Sequence, residues 1–173
     1  IIAGSPGLFR MFDAANGGQI AWFLPFALLG SILCAWEWRR DRVRRAATVL
    51  FLGWVLLFGL VFSYAQGIYH SYYTAALAPG VAALVGMSAA AGFSLVKRHA
   101  LWMLPIAGIT AATLAVQLAT VSDFPDYYSQ WRPVGVVVVA LGGLLVLASV
   151  FPRVPFRHGV GLAVVLAGLL VMP

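Results

Sequence analysis

Ala46-Ala47-Thr48-Val49-Leu50-Phe51-Leu52-Gly53-Trp54-Val55-Leu56-Leu57-Phe58-Gly59-Leu60-Val61-Phe62-Ser63-Tyr64 contains no charged residue, and its polar groups are hydroxyls at Thr48, Ser63 and Tyr64. At about 1.5 Å of rise per residue, a helix of this length comes close to crossing the ~30 Å of hydrocarbon in a bilayer. Backbone amides cannot stay unpaired in lipid, so the run must be helical or belong to a closed barrel. A barrel strand would alternate polar and apolar side chains, and this run does not. It reads as one membrane-spanning α-helix.

Comparable runs lie on either side. They extend from about Ile20 to Trp36, Tyr73 to Val96, Ala100 to Val121 and Pro133 to Phe151, while Gly159 to Met172 is only about two-thirds of a span. The chain is 62% hydrophobic and 9% charged, with a mean hydropathy of +0.95. Globular proteins are nearer half apolar and a quarter charged. Those figures exclude a soluble enzyme, a DNA-binding domain and a disordered tail. The fold class expected is all-α: a polytopic transmembrane bundle of about six spanning helices. Residues 1–19 are expected to form an extracytoplasmic interfacial segment and residues 20–173 the bundle. The chain opens at Ile1-Ile2 and stops at Pro173 inside an apolar stretch, which predicts a piece of a longer membrane protein.

The net charge of +6 is explained by its distribution. Arg39, Arg40, Arg42, Arg44 and Arg45 fall between spans one and two, Lys97 and Arg98 between three and four, and Arg153 and Arg157 between five and six. These alternate connections share one face, which the positive-inside rule makes cytoplasmic. The opposite face carries Arg10 and Arg132 together with all six tyrosines. The charge is therefore topogenic and no nucleic-acid partner is implied. Membrane lipids are implied, and the Arg39–Arg45 cluster leaves binding of anionic headgroups open. The expected location is a bacterial cytoplasmic membrane, with arginine-rich loops inside and tyrosine-rich loops outside.

Ser5 as cap and Pro6 at the first helical position predict a short N-terminal interfacial helix. Its apolar side would carry Leu8, Phe9, Met11, Phe12 and Ala15, with Arg10 and Asp13 largely opposite, and Gly17-Gly18 would end it; an irregular linker is the alternative. In span three, Ala78, Ala82, Gly86 and Ala90 recur every four residues, a pattern that lets helices approach closely. That span is expected at the centre of the bundle, packed through this stripe. Cys34 lies in an apolar run and reads as a small buried packing residue.

Polar chemistry is concentrated in Ser63-Tyr64-Ala65-Gln66-Gly67-Ile68-Tyr69-His70-Ser71-Tyr72-Tyr73-Thr74. Gln66, His70, Tyr72 and Tyr73 supply donors suited to phosphate oxygens or a sugar. Tyrosines also gather at membrane interfaces for amphipathic reasons alone, so an aromatic belt stays open as the second reading. Arg10 has two readings as well, a bidentate lipid-phosphate contact or a snorkelling side chain. Asp13, Asp123 and Asp126 read as solvated, and Glu37 and Asp41 as partners of the nearby arginines. No acids are spaced for general acid–base or metal work.

The stretch from Phe62 to Pro79, with His70-Ser71-Tyr72-Tyr73-Thr74 and Leu77-Ala78-Pro79, resembles the HPYYT…LAP signature of bacterial multispanning glycosyltransferases. Gly4-Ser5-Pro6-Gly7-Leu8-Phe9-Arg10-Met11-Phe12 and Gly17-Gly18-Gln19-Ile20-Ala21-Trp22-Phe23-Leu24-Pro25 resemble the stretch that leads into the preceding span in those proteins. The likeness is to polyprenyl-phosphate-mannose protein mannosyltransferases and aminoarabinose lipid A transferases of the GT-C superfamily (glycosyltransferase family 39-like). It covers about the first half of the chain. Ser71 departs from the pattern, standing where proline is usual, which predicts a looser turn.

The resemblance implies the C-terminal half of a GT-C membrane domain, partnered by the N-terminal half. It implies transfer of a sugar from a polyprenyl-phosphate donor to an acceptor at the extracytoplasmic face. His70, Tyr72, Tyr73, Gln66 and Arg10 would line the carrier and sugar cavity. The catalytic acid would lie upstream of Ile1, and a divalent metal (Mg or Mn) would belong to the full enzyme, with no metal ligands in this fragment. The rival class is a transporter or flippase-like module. It is disfavoured by spans whose centres hold little beyond Gln117, Thr48, Ser31 and Ser88, none charged.

Overall fold

A computed structural model describes residues 4–126, 129, 133–135 and 137. The sixth expected span and nearly all of the fifth, together with Tyr127, Tyr128, Arg132, Arg153, Arg157 and His158, lie outside the described residues. Within them every regular element is helical: α1 (Gly17–Ile20), α2 (Leu24–Glu37), α3 (Arg42–Tyr64), α4 (Ala78–Arg98) and α5 (Met103–Ser122), with 3-10 turns at Arg10–Phe12, Ser71–Leu77 and Ala100–Trp102. Three segments are long and apolar enough to cross a membrane: Arg42–Tyr64, Ser71–Arg98 and Ala100–Ser122. The chain is an α-helical membrane protein.

α3 begins where the Asp41 carboxylate accepts from the Arg44 amide at 3.0 Å, satisfying one of the donors a helix start leaves orphaned. It ends at Ala65, and Gly67 at φ +78° then turns the chain, a conformation that costs glycine little. α3 is peripheral: Thr48, Val55 and Ser63 are its buried residues, while Val49, Leu50, Leu57 and Leu60 point outward. Lipid is the natural partner of such a surface.

The first expected span is broken rather than continuous. Pro25 lacks the amide that would bond the Ala21 carbonyl, and Leu24 N bonds it instead at 3.3 Å. Residues 21–23 therefore separate α1 from the 14-residue α2. A helix of that length rises about 21 Å, short of a full crossing. Non-helical backbone survives at membrane depth only when protein satisfies it. Here Gln117 of α5, fully buried, donates Nε2 to the Trp22 carbonyl at 2.9 Å.

α4 is central, packing against both α2 and α3, but through a different face from the one expected. Ala78, Ala82, Gly86 and Ala90 are exposed, and the buried face is Gly80, Val81, Leu84, Ser88, Ala91, Gly92 and Leu95. The close approach between α2 and α4 depends on Gly30 instead, where a Cβ would stand 2.5 Å from Ser88 Oγ. Regular spacing of small residues marks a permissive surface; it does not say which neighbour uses it. Pro79 occupies the first turn of α4, where its missing amide costs nothing, so it marks the junction with the 3-10 turn and introduces no kink.

The N-terminal stretch also differs in detail. Its helical parts are the 3-10 turn Arg10–Phe12 and α1, Phe9 and not Ser5 precedes the first of them, and Gly17-Gly18 open α1 instead of ending a helix. Leu8 and Phe9 face outward as an interfacial surface would, while Arg10 and Met11 are buried. The cause is tertiary: Gly7 N donates to the Ser63 carbonyl at 2.8 Å, drawing the segment onto the end of α3.

Candidate functional site

The tyrosine-rich end is built on a buried polar platform. Asp13, expected to face water, turns inward and accepts from Ala15 N, Asn16 N and Asn16 Nδ2 at 3.1, 3.0 and 2.9 Å. This closes the turn that begins α1, the usual service of an aspartate to its own backbone. Asn16, fully buried, accepts at Oδ1 from the Tyr69 hydroxyl at 3.3 Å. Burial raises the pKa of the Tyr69 phenol, with Arg10 opposing the shift and Asp13 adding to it.

Arg10 completes the platform. It is 5% exposed, and its Nη1 donates to the carbonyls of Phe62 at 3.2 Å and Ala65 at 2.7 Å. Its guanidinium lies 4.0 Å from the centre of the Tyr69 ring. The side chain thus neutralises the carbonyl end of α3, where orphan acceptors and the negative end of the helix dipole converge. This is neither the snorkelling nor the headgroup arrangement expected from sequence: the cation is turned inward, beneath the candidate residues.

On this platform the structure gathers His70, Tyr72 and Tyr73. The His70 ring stacks on Tyr72 at 5.3 Å and 17°, and meets Tyr73 edge-on at 5.7 Å and 85°. Tyr72 and Tyr73 meet at 4.8 Å and 80°, and Tyr73 leans on Tyr69 at 5.9 Å. A ring-to-ring path continues through Phe62 and Phe58 to Trp54, whose Nε1 donates back to the Ala76 carbonyl at 2.8 Å. Each such pair prefers offset or edge geometry and adds about 0.5–1.5 kcal/mol beyond its buried area. The cluster is therefore held as a unit while Tyr72 stays 61% exposed. Gln66 is also exposed but stands beyond Gly67, outside the ring contacts.

Ser71 is pinned. Gln19 Nε2 donates to Ser71 Oγ at 3.1 Å, and Thr74 Oγ1 donates to the Ser71 carbonyl at 2.7 Å. A hydroxyl contact thus takes over part of the restraint that a proline ring would supply. Gln19 is a residue that sequence reasoning did not weigh, as is Asn16; the available signal was two amides in an otherwise apolar approach to a span. Gln19 also lines a groove of about 560 Å³ between α1, the break and α4, walled by Trp22, Phe23, Ala82 and Val85. The exposed small-residue face of α4 forms its floor. Gln66, His70, Tyr72 and Tyr73 do not line the groove, which meets their segment through the Gln19 contact with Ser71.

Of the acids, Asp13 is committed to the α1 turn, and Asp123 and Asp126 are exposed. Asp41 pairs with Arg44 at 3.4 Å as the arginine-rich loop suggested. Glu37, in contrast, pairs across the bundle with Arg98 at 2.8 Å and accepts from Ser94 Oγ at 2.6 Å. Among the described residues no three His, Cys, Asp or Glu side chains stand together.

No family model matches the chain, and no solved structure matches it. Two proteins of Bacillus subtilis (strain 168) do. One, named "Putative mannosyltransferase YkcB", is 35% identical over 98% of this chain and 24% of its own length. The other, named "Putative mannosyltransferase YycA", is 36% identical over 82% of this chain and 21% of its own length. The chain spans about a quarter or less of these curated relatives. Over the stretch it spans, the chain is similar to these two proteins named as mannosyltransferases.

Proposed function

We propose that this chain is part of the membrane domain of a polyprenyl-phosphate-dependent glycosyltransferase. The full protein moves a sugar from the lipid carrier to an acceptor at the extracytoplasmic face of a bacterial cytoplasmic membrane. The arginine-rich loops then face the cytoplasm and the tyrosine-rich end faces outward. The names of the two relatives make mannose the first sugar to test.

The observation that carries the reading is the gathering of His70, Tyr72 and Tyr73, ring against ring, over a buried platform and beside an apolar groove. Ring donors on a fixed base suit a phosphate or a sugar hydroxyl, since preorganised donors lose little freedom when they bind. His70, Tyr72 and Tyr73 take the headgroup and sugar, Gln66 contributes from across the Gly67 turn, and Arg10 acts from beneath as a positioning residue. The catalytic acid and the ligands of any divalent ion come from the N-terminal half of the membrane domain. A transporter or flippase reading gains no support from the relatives.

The test uses the full-length protein carrying His70→Ala or Tyr72→Ala. Transfer of mannose from polyprenyl-phosphate-mannose and binding of the carrier lipid are both expected to fall at least tenfold, the loss of about one charge-assisted hydrogen bond. Unchanged turnover with unchanged carrier binding removes the site assignment.

A further inference from the structure

The arginine-rich end carries charge that the fold leaves without acidic partners. Arg39, Arg40, Arg42, Arg44 and Arg45 are all exposed, and three of them stand in the first turn of α3, which contains no acid. A helix N-terminus is the positive end of the dipole and favours anions, so cations there work against the helix. The two nearby acids are engaged: Asp41 caps α3 and pairs with Arg44, and the side chain of Glu37, 4% exposed, is held by Arg98 and Ser94. Among the described residues no ion pair joins Arg39, Arg40, Arg42 or Arg45 to an acid.

Aromatic rings mark the level at which this charge sits. Arg39 donates to the Trp36 carbonyl at 2.8 Å and lies 5.2 Å from its ring, and Arg44 lies 5.4 Å from the ring of Trp38. Trp36 is exposed and pairs with Trp102 at 5.9 Å, so α2 and the start of the fourth span present indoles side by side. An exposed indole beside an apolar helix end, as at Trp36, belongs at the boundary between headgroups and acyl chains. Orientation bias during insertion explains why the cations are at this end and says nothing of what neutralises them once folded.

We propose that this end is a binding site for anionic phospholipid headgroups, with Arg39, Arg40, Arg42 and Arg45 as phosphate partners and Trp36 with Trp102 at the acyl boundary. A guanidinium matches a phosphate with two parallel hydrogen bonds, and the positive end of α3 reinforces the attraction. The proposal is independent of the sugar-transfer reading, because it concerns the opposite end of the bundle.

The experiment reconstitutes the full-length protein in nanodiscs of equal phosphatidylglycerol and phosphatidylcholine. It measures by electron spin resonance the association of a spin-labelled form of each lipid, at about 50 mM and about 500 mM NaCl. The parent is expected to prefer phosphatidylglycerol at low salt and to lose most of that preference at high salt. Arg40→Gln/Arg42→Gln/Arg45→Gln should lose the preference by up to about fivefold per arginine. Equal association of the two lipids with the parent at low salt overturns the proposal, whether or not the triple variant inserts. So does a correctly inserted triple variant with undiminished preference, or displacement of the labelled lipid by an acidic peptide but not by unlabelled phosphatidylglycerol.

Discussion

Replacing Arg10 by alanine should unfasten the tyrosine-rich end without unfolding the bundle. The side chain donates to Phe62 O at 3.2 Å and Ala65 O at 2.7 Å, and stacks on Tyr69 at 4.0 Å. A charged hydrogen bond contributes about 1.5–3 kcal/mol, and the shorter of the two belongs in that range. Stacking adds roughly 0.5–2 kcal/mol, and removal leaves two carbonyls at the end of α3 without this donor. These effects share one side chain and do not add fully, so the expected local loss is about 3–4 kcal/mol. Hydrogen exchange of residues 62–73 in the full-length protein should then accelerate by roughly 100- to 1000-fold, while the interior of α4 is little changed. Arg10→Lys keeps the charge but loses the planar fork and the stack, so exchange should accelerate by about tenfold. Protection at 62–73 within threefold of the parent in Arg10→Ala would refute the claim that this cation organises the site.

Three further outcomes follow from the geometry. Gln117→Leu removes the donor to the Trp22 carbonyl inside the bundle, and thermal unfolding in detergent should report a loss of about 1–3 kcal/mol; no loss would mean that water satisfies the break. Ser71→Pro places proline at the first position of the 3-10 turn, after His70 in an extended conformation that tolerates it. The lost Gln19 contact and the gained rigidity should nearly cancel, leaving stability within about 1 kcal/mol of the parent, and a larger loss would show that the serine hydroxyl is indispensable. Tyr69 has its pKa raised above 10.0 by burial first, so the folded state holds the phenol proton more tightly than the unfolded chain. That contribution is fully present below the unfolded value and is lost as pH rises through the folded one. Alkaline unfolding above about pH 10 should therefore be shallower in Tyr69→Phe than in the parent; identical profiles would place the tyrosine outside the platform.

The candidate cluster was legible as far as local sequence reaches. His70, Tyr72 and Tyr73 lie within one turn of each other, so their proximity needs no tertiary knowledge. Their support was not legible, because it comes from residues more than fifty positions away: Arg10 with Ala65, Asn16 with Tyr69, and Gln19 with Ser71. Read locally, Arg10 and Asp13 were surface charges on an amphipathic turn. Folded, Arg10 is buried and Asp13 half-buried at the base of the site.

The spans at about 46–64, 73–96 and 100–121 were determined by the sequence alone, since length and the absence of charge decide whether a helix can be dissolved in lipid. The break at residues 21–23, the face of α4 that packs and the partner of Glu37 were decided only by the tertiary structure. Solvation by lipid is a property of one segment, whereas a buried carbonyl, a close helix approach or an ion pair requires a second segment to arrive. Gln117, Ser88 and Arg98 are those arrivals, and composition does not announce them.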